Sequence, residues 1–111
     1  MTRAPKGGPA VVQWTTRARR DLEEIWDYIA ADDPVAADRW VERLSTRALG
    51  AARTPMAGRM LPERPRADLR EVLLRTCRIV YRVHAEGILV LTVIEGHRRL
   101  PRLAPGGAER G

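Results

Sequence analysis

Apolar residues fall into two helical stripes followed by three runs with strand spacing. Ala18, Leu22, Ile25 and Ile29 recur every three or four positions, which places them on one side of a helix. Thr15 or Thr16 stands where a hydroxyl can accept from the free amides of the first turn. Arg17–Asp21 and Arg20–Glu24 lie four apart on the side expected to be wet, a spacing that lends a helix modest support. The second stripe is Ala37, Val41, Leu44, Ala48 and Ala51. Asp33 is placed as its N-cap and Pro34 as its first residue, where a missing N–H costs nothing. So short a join predicts an antiparallel helical hairpin, preceded by a short extended run, Val11-Val-Gln-Trp14.

After the hairpin, Thr54 to Pro65 holds three prolines and a glycine and reads as loop. Leu69–Leu74, Cys77–His84 and Ile88–Ile94 read as strands joined by hairpin-length turns. In Cys77–His84 the alternation puts Arg78, Arg82 and His84 on one face, expected to be open, and Cys77, Ile79, Tyr81 and Val83 on the other. Ile88–Ile94 is apolar on both faces, as a covered central strand should be. Trp14, Trp26, Trp40 and Tyr81 are expected to pack rather than to bind ligands. The predicted fold is α+β, in the order β-α-α-β-β-β, with a four-stranded, mainly antiparallel sheet packed against the helical hairpin. One domain spans 11–103, flanked by Pro/Gly-rich tails at 1–10 and 104–111 that are expected to be flexible.

Composition narrows the function. The chain has 111 residues, enough for one domain, and a single cysteine, Cys77, which excludes an intrachain disulfide. The longest apolar run is too short to span a bilayer, and no apolar leader stands at the N-terminus, so the expected location is the cytoplasm. The net charge is +6 and Lys6 is the only lysine. Residues 16–52 carry six arginines against eight acids, whereas 53–102 carry eleven against five. The positive excess therefore lies in the sheet-forming half, where it favours encounter with an acidic partner or nucleic acid.

Candidate chemistry is sparse. Neither a phosphate-cradling glycine loop nor a metal-ligand spacing is present, and no cofactor or metal is expected. Gly96-His97-Arg98-Arg99 follows the last strand, where a rigid strand end can aim side chains. Glu63, Arg78 and His97 could converge on one sheet face. A carboxylate, an arginine and a histidine suffice to cleave RNA, by moving protons at the 2′-hydroxyl and leaving oxygen while arginine stabilises the phosphate.

The ordered set of these stretches resembles the RelE/ParE superfamily of toxins from bacterial type II toxin–antitoxin modules. The matching residues are Trp14-Thr15, the helix Ala18–Ile29, Asp33-Pro34 with Ala37, and the loop Pro55–Glu63. Leu69-Arg70-Glu71, Arg78-Ile-Val-Tyr-Arg-Val83 and Gly96-His97-Arg98-Arg99 complete it, so that the likeness runs from 11 to about 101. The resemblance implies a cognate antitoxin, usually acidic, that forms a hetero-oligomer with the toxin and folds on binding. It leaves three functions open. ParE-like members poison DNA gyrase, RelE- and YoeB-like members cut mRNA on the ribosome, and a third possibility is a non-toxic module that only binds antitoxin. A YoeB-like nuclease would use Glu63 and Arg78, but Gly96-His97-Arg98 replaces its terminal His–Tyr pair. No tyrosine follows Tyr81 and no lysine follows Lys6, which departs from RelE-like nucleases and favours the ParE-like branch. On that reading Arg70, Arg78, Arg82, His97, Arg98 and Arg99 are the candidates for contact with target or antitoxin.

Overall fold

The computed structural model of the chain describes residues 10–96 and 99–103. The expected tails, 1–10 and 104–111, lie almost wholly outside them. The elements are β1 (Val11–Trp14), α1 (Thr16–Ala30), α2 (Pro34–Arg53), a 3-10 turn (Pro55–Ala57), β2 (Arg59–Met60), β3 (Leu69–Leu74), β4 (Cys77–His84) and β5 (Gly87–Glu95). The architecture is α+β, as the spacing predicted, but the sheet has five strands rather than four. Its order is β1-β5-β4-β3-β2, with β1 parallel to β5 and the other pairs antiparallel. The added strand, β2, is two residues long and too short to show a period. It forms within the loop because Arg59 and Met60 pair with Glu71 and Arg70 at the edge of β3.

Thr15 is the N-cap of α1, and it also ties that helix to the sheet. Its Oγ1 accepts from the Ala18 amide at 3.0 Å and donates to the Leu91 carbonyl at 2.9 Å. Asp21 was expected on the wet side; instead it accepts from the Thr92 hydroxyl and the Val93 amide of β5. Arg20 and Glu24 are both exposed. Asp33 caps α2 by accepting from the Val35 and Ala36 amides, with Pro34 at the first position. The hairpin is cross-braced where Trp26 Nε1 donates to Asp38 at 2.8 Å.

The hairpin covers one face of the sheet. Ala18, Leu44, Ala48, Ala51 and Ala52 meet Val72, Cys77, Ile79, Tyr81, Ile88, Val90 and Val93, with Trp14 and Trp40 at the margin. Small alanines let the helices approach closely, so area is buried with little side-chain entropy lost. The opposite face was expected to be open, yet Val80 there is wholly buried. Leu61, Leu69, Leu91, Ile94 and Leu103 form a second, smaller core with it, flanked by Leu89 and Leu100. The loop after β2 and residues 99–103 thus cover part of that face. A β-bulge helps: the β4–β5 register passes from Val80↔Thr92 to Tyr81↔Val90, and Leu91, which it skips, belongs to the second core.

Candidate functional site

Leu69-Arg70-Glu71 sits on β3 beside the loop, and each polar residue does a separate job. Arg70 pins the loop: Nε donates to the Ala67 carbonyl at 2.9 Å, and Nη1 donates to the carbonyls of Gly58 at 2.9 Å and Met56 at 3.3 Å. Tyr81 reaches the same loop, donating its hydroxyl to the Pro55 carbonyl at 2.6 Å. Burial pushes that phenol above its ordinary value. Gly58 fits only because it lacks a Cβ, which would stand 2.2 Å from the Tyr81 hydroxyl.

Glu71 alternates with Leu69 and Leu73 and is almost fully buried. Its two oxygens take Nε of Arg59 at 2.5 Å and Nε of Arg78 at 2.6 Å. Arg78 then forks onto Glu63, with Nη1 and Nη2 at 2.9 and 3.0 Å from the two carboxylate oxygens. The sheet register explains the cluster: Arg59 is opposite Glu71, and Arg78 is opposite Leu73, two residues further along the same face. A bidentate arginine–carboxylate pair of this kind is strong and directional. The Arg78 bond holds the Glu63 carboxyl below its ordinary value. The same bond, with Glu71 adding to it, raises the Arg78 guanidinium against the opposing effect of burial.

The geometry therefore unites Glu63 and Arg78, as a nuclease would need, but also saturates Arg78. Three of its nitrogens are engaged by two carboxylates, and only 15% of the side chain is exposed. A general base works best with a pKa near the working pH; Glu63 moves the other way. His97 and Arg98 lie outside the described residues, and Arg99 is exposed. Arg82 lies on the same face as Arg78 but joins a different group, beside Asp68.

Glu71 and Arg59 were not singled out by sequence reasoning. One signal was present: an acid at the inward-facing position of an otherwise apolar strand, Leu69-Arg-Glu-Val-Leu-Leu74, must be paired if it is charged. Its partners depend on the register of three strands, which spacing does not show. Cys77 is buried, as expected, and donates its thiol to Glu95. Burial foremost, with Glu95 adding to it, pushes that thiol up to about 12. No helix among the described residues is long and apolar enough to cross a membrane.

Comparison with known proteins gives one answer. Residues 12–100 match the family model described as the ParE toxin of the type II toxin–antitoxin system parDE. The chain is 38% identical over 93 residues to the Sinorhizobium fredii protein named "Putative toxin Y4kP", covering 83% of this chain and 94% of that protein. It is 36% identical over 91 residues to toxin RelE2 of Caulobacter vibrioides, covering 82% of this chain and 99% of the relative. Among solved structures, a chain of the chromosomal ParDE TA system from P. aeruginosa superposes with a TM-score of 0.65 at 21% identity, over 79% of this chain and 97% of that one. A chain of the toxin–antitoxin complex RelBE2 from Mycobacterium tuberculosis gives 0.58 at 23% identity, over 81% and 94%. At those identities the two structures speak to the fold alone.

Proposed function

The chain belongs to the ParE toxin family and is the toxin component of a type II toxin–antitoxin system, and from that premise we propose that it arrests growth by poisoning DNA gyrase. The observation that carries the choice of target is the state of Arg78. An mRNA endonuclease needs a guanidinium free to meet a phosphate whose charge grows in the transition state. Here the one arginine in position for that task is held by Glu71 and Glu63, and it serves to fasten the loop to the sheet. A protein that acts by binding needs no such free group. The partner that restrains it is a cognate antitoxin, in keeping with the fold it shares with chains of toxin–antitoxin complexes. The whole acts in the cytoplasm.

A second reading, ribosome-dependent mRNA cleavage by Glu63, Arg78 and His97, draws on the direct contact of Glu63 with Arg78 and on the relative named RelE2. Induced expression without antitoxin separates the two. Gyrase poisoning yields DNA breaks that a gyrase-resistant background abolishes, with mRNA intact. Cleaved mRNA in a translating extract, lost in Arg78→Ala and Glu63→Gln, would reject the gyrase reading. Unimpaired growth would reject both in favour of an antitoxin-binding module.

A further inference from the structure

Most arginines that the charge count assigned to one basic face are spent inside the fold. Arg59 and Arg78 are on Glu71, Arg66 is on Asp68, and Arg70 is on loop carbonyls. Arg82 differs. Its Nε is buried with no hydrogen-bond partner, and among the described residues its terminal nitrogens make no hydrogen bond either. The nearest carboxylate, Asp68, is 3.8 Å from Nε, beyond hydrogen-bond range. Asp68 is not free to close that gap. Arg66 grips both of its oxygens, at 3.1 and 2.8 Å, and its carbonyl is tied to the Val83 amide at 2.8 Å.

A buried donor without an acceptor costs free energy, more so when it is charged. Such a group asks for an acceptor from outside the chain. The surroundings define that acceptor. Leu69 and Leu89 stand opposite Arg82 on the two neighbouring strands, and both border the second core with Leu100 and Leu103. One cation with apolar flanks suits a single carboxylate on a segment that also buries apolar side chains. A nucleic-acid backbone is held by a row of free cations, and the neighbouring arginines are already neutralised. We propose that Arg82 is the anchor for a carboxylate of an acidic, partly apolar antitoxin segment laid beside the second core, on the sheet face opposite the helices. This rests on the toxin–antitoxin reading above.

The test compares the full chain with Arg82→Gln and Arg82→Lys, using Arg39→Gln as an exposed control. Affinity for the protein encoded by the adjoining reading frame is measured by calorimetry at low and high salt. A charge-assisted hydrogen bond predicts a loss of about tenfold or more for Arg82→Gln, with weaker salt dependence and partial retention in Arg82→Lys. Because the anchor has no internal partner, the free Arg82→Gln chain melts no lower than the wild type. Wild-type affinity in Arg82→Gln overturns the proposal, and so does a markedly lower melt, which would make Arg82 a structural arginine. Competition by a single-stranded RNA that Arg82→Gln abolishes also overturns it, by naming a different occupant. If the wild-type chain forms no complex at all, the toxin–antitoxin reading fails and the anchor falls with it. That result is distinct from a complex indifferent to residue 82.

Discussion

Replacing Glu71 by glutamine keeps the shape of the side chain and removes its charge, which isolates what the buried carboxylate does. Two guanidinium Nε–H groups point at it, and in the variant an amide NH2 must face one of them, donor against donor. The two halves of the cost differ. The Arg59 side chain is 62% exposed, so water replaces the lost partner and that half is worth at most about 1 kcal/mol. Arg78 is mostly buried, and stripping a partner from a buried ion pair costs about 3–5 kcal/mol. Glu63 still neutralises it, which lowers that half to about 2 kcal/mol, the scale of one hydrogen bond to a charged group. The sum is about 3 kcal/mol, a large share of a typical domain's 5–15 kcal/mol. Urea unfolding of the free chain should show a lower midpoint at unchanged slope. Double-mutant cycles should give Glu71 a coupling of about 2 kcal/mol with Arg78 and less than about 1 kcal/mol with Arg59. A loss below about 0.5 kcal/mol, or a coupling larger on Arg59 than on Arg78, would refute the reasoning.

Four further outcomes follow from single contacts. Gly87→Ala places a Cβ 1.9 Å from the Val11 carbonyl, so β1 should detach, with amide exchange at Val11–Trp14 accelerating well before global unfolding. Asp21→Asn weakens the acceptor that holds Thr92 and Val93 to α1; a loss of about 1–3 kcal/mol is expected in thermal unfolding. The depressed folded-state value of Glu63 means that its pairing stabilises fully above the ordinary carboxylate value of 4.5. That stability is lost as pH falls through the lower folded value, and Glu63→Gln should flatten this part of an acid-unfolding curve. Cys77, with its thiol pushed up to about 12, should resist alkylation at pH near 8 in the native chain and react promptly in urea.

The parts of the fold that were legible are those governed by local rules. Thr15 and Asp33-Pro34 mark helix starts through backbone amides within three residues, and Cys77–His84 declares itself through alternation. Asp21 shows where local rules stop. Spacing placed it four residues from Arg17, but whether it meets water or β5 depends on how the helix is rolled against the sheet, which its partners 71 and 72 residues away decide. The second core was hidden for a similar reason. Val80 interrupts the polar side of β4, and only the return of Leu61 and Leu103 over that face makes it an interior position.

The charge pattern needed the same long-range information. Eleven arginines between residues 53 and 102 read as one basic face, since composition counts charges and ignores what they touch. The fold brings Glu63, Asp68 and Glu71 among them, and these three carboxylates bind Arg59, Arg66 and Arg78. A cation so engaged contributes to the long-range field, yet its donors are closed to a ligand. The basic half therefore steers encounter broadly, while docking falls to the few guanidinium groups whose donors stay unspent. Register selects them: Arg78 lies near enough to Glu71 to share it, whereas Arg82, four residues along β4, stands opposite Leu69 and reaches only an occupied Asp68. Two arginines with the same sequence signature on one strand face are thus assigned opposite duties, one closing the fold and the other left open to a partner.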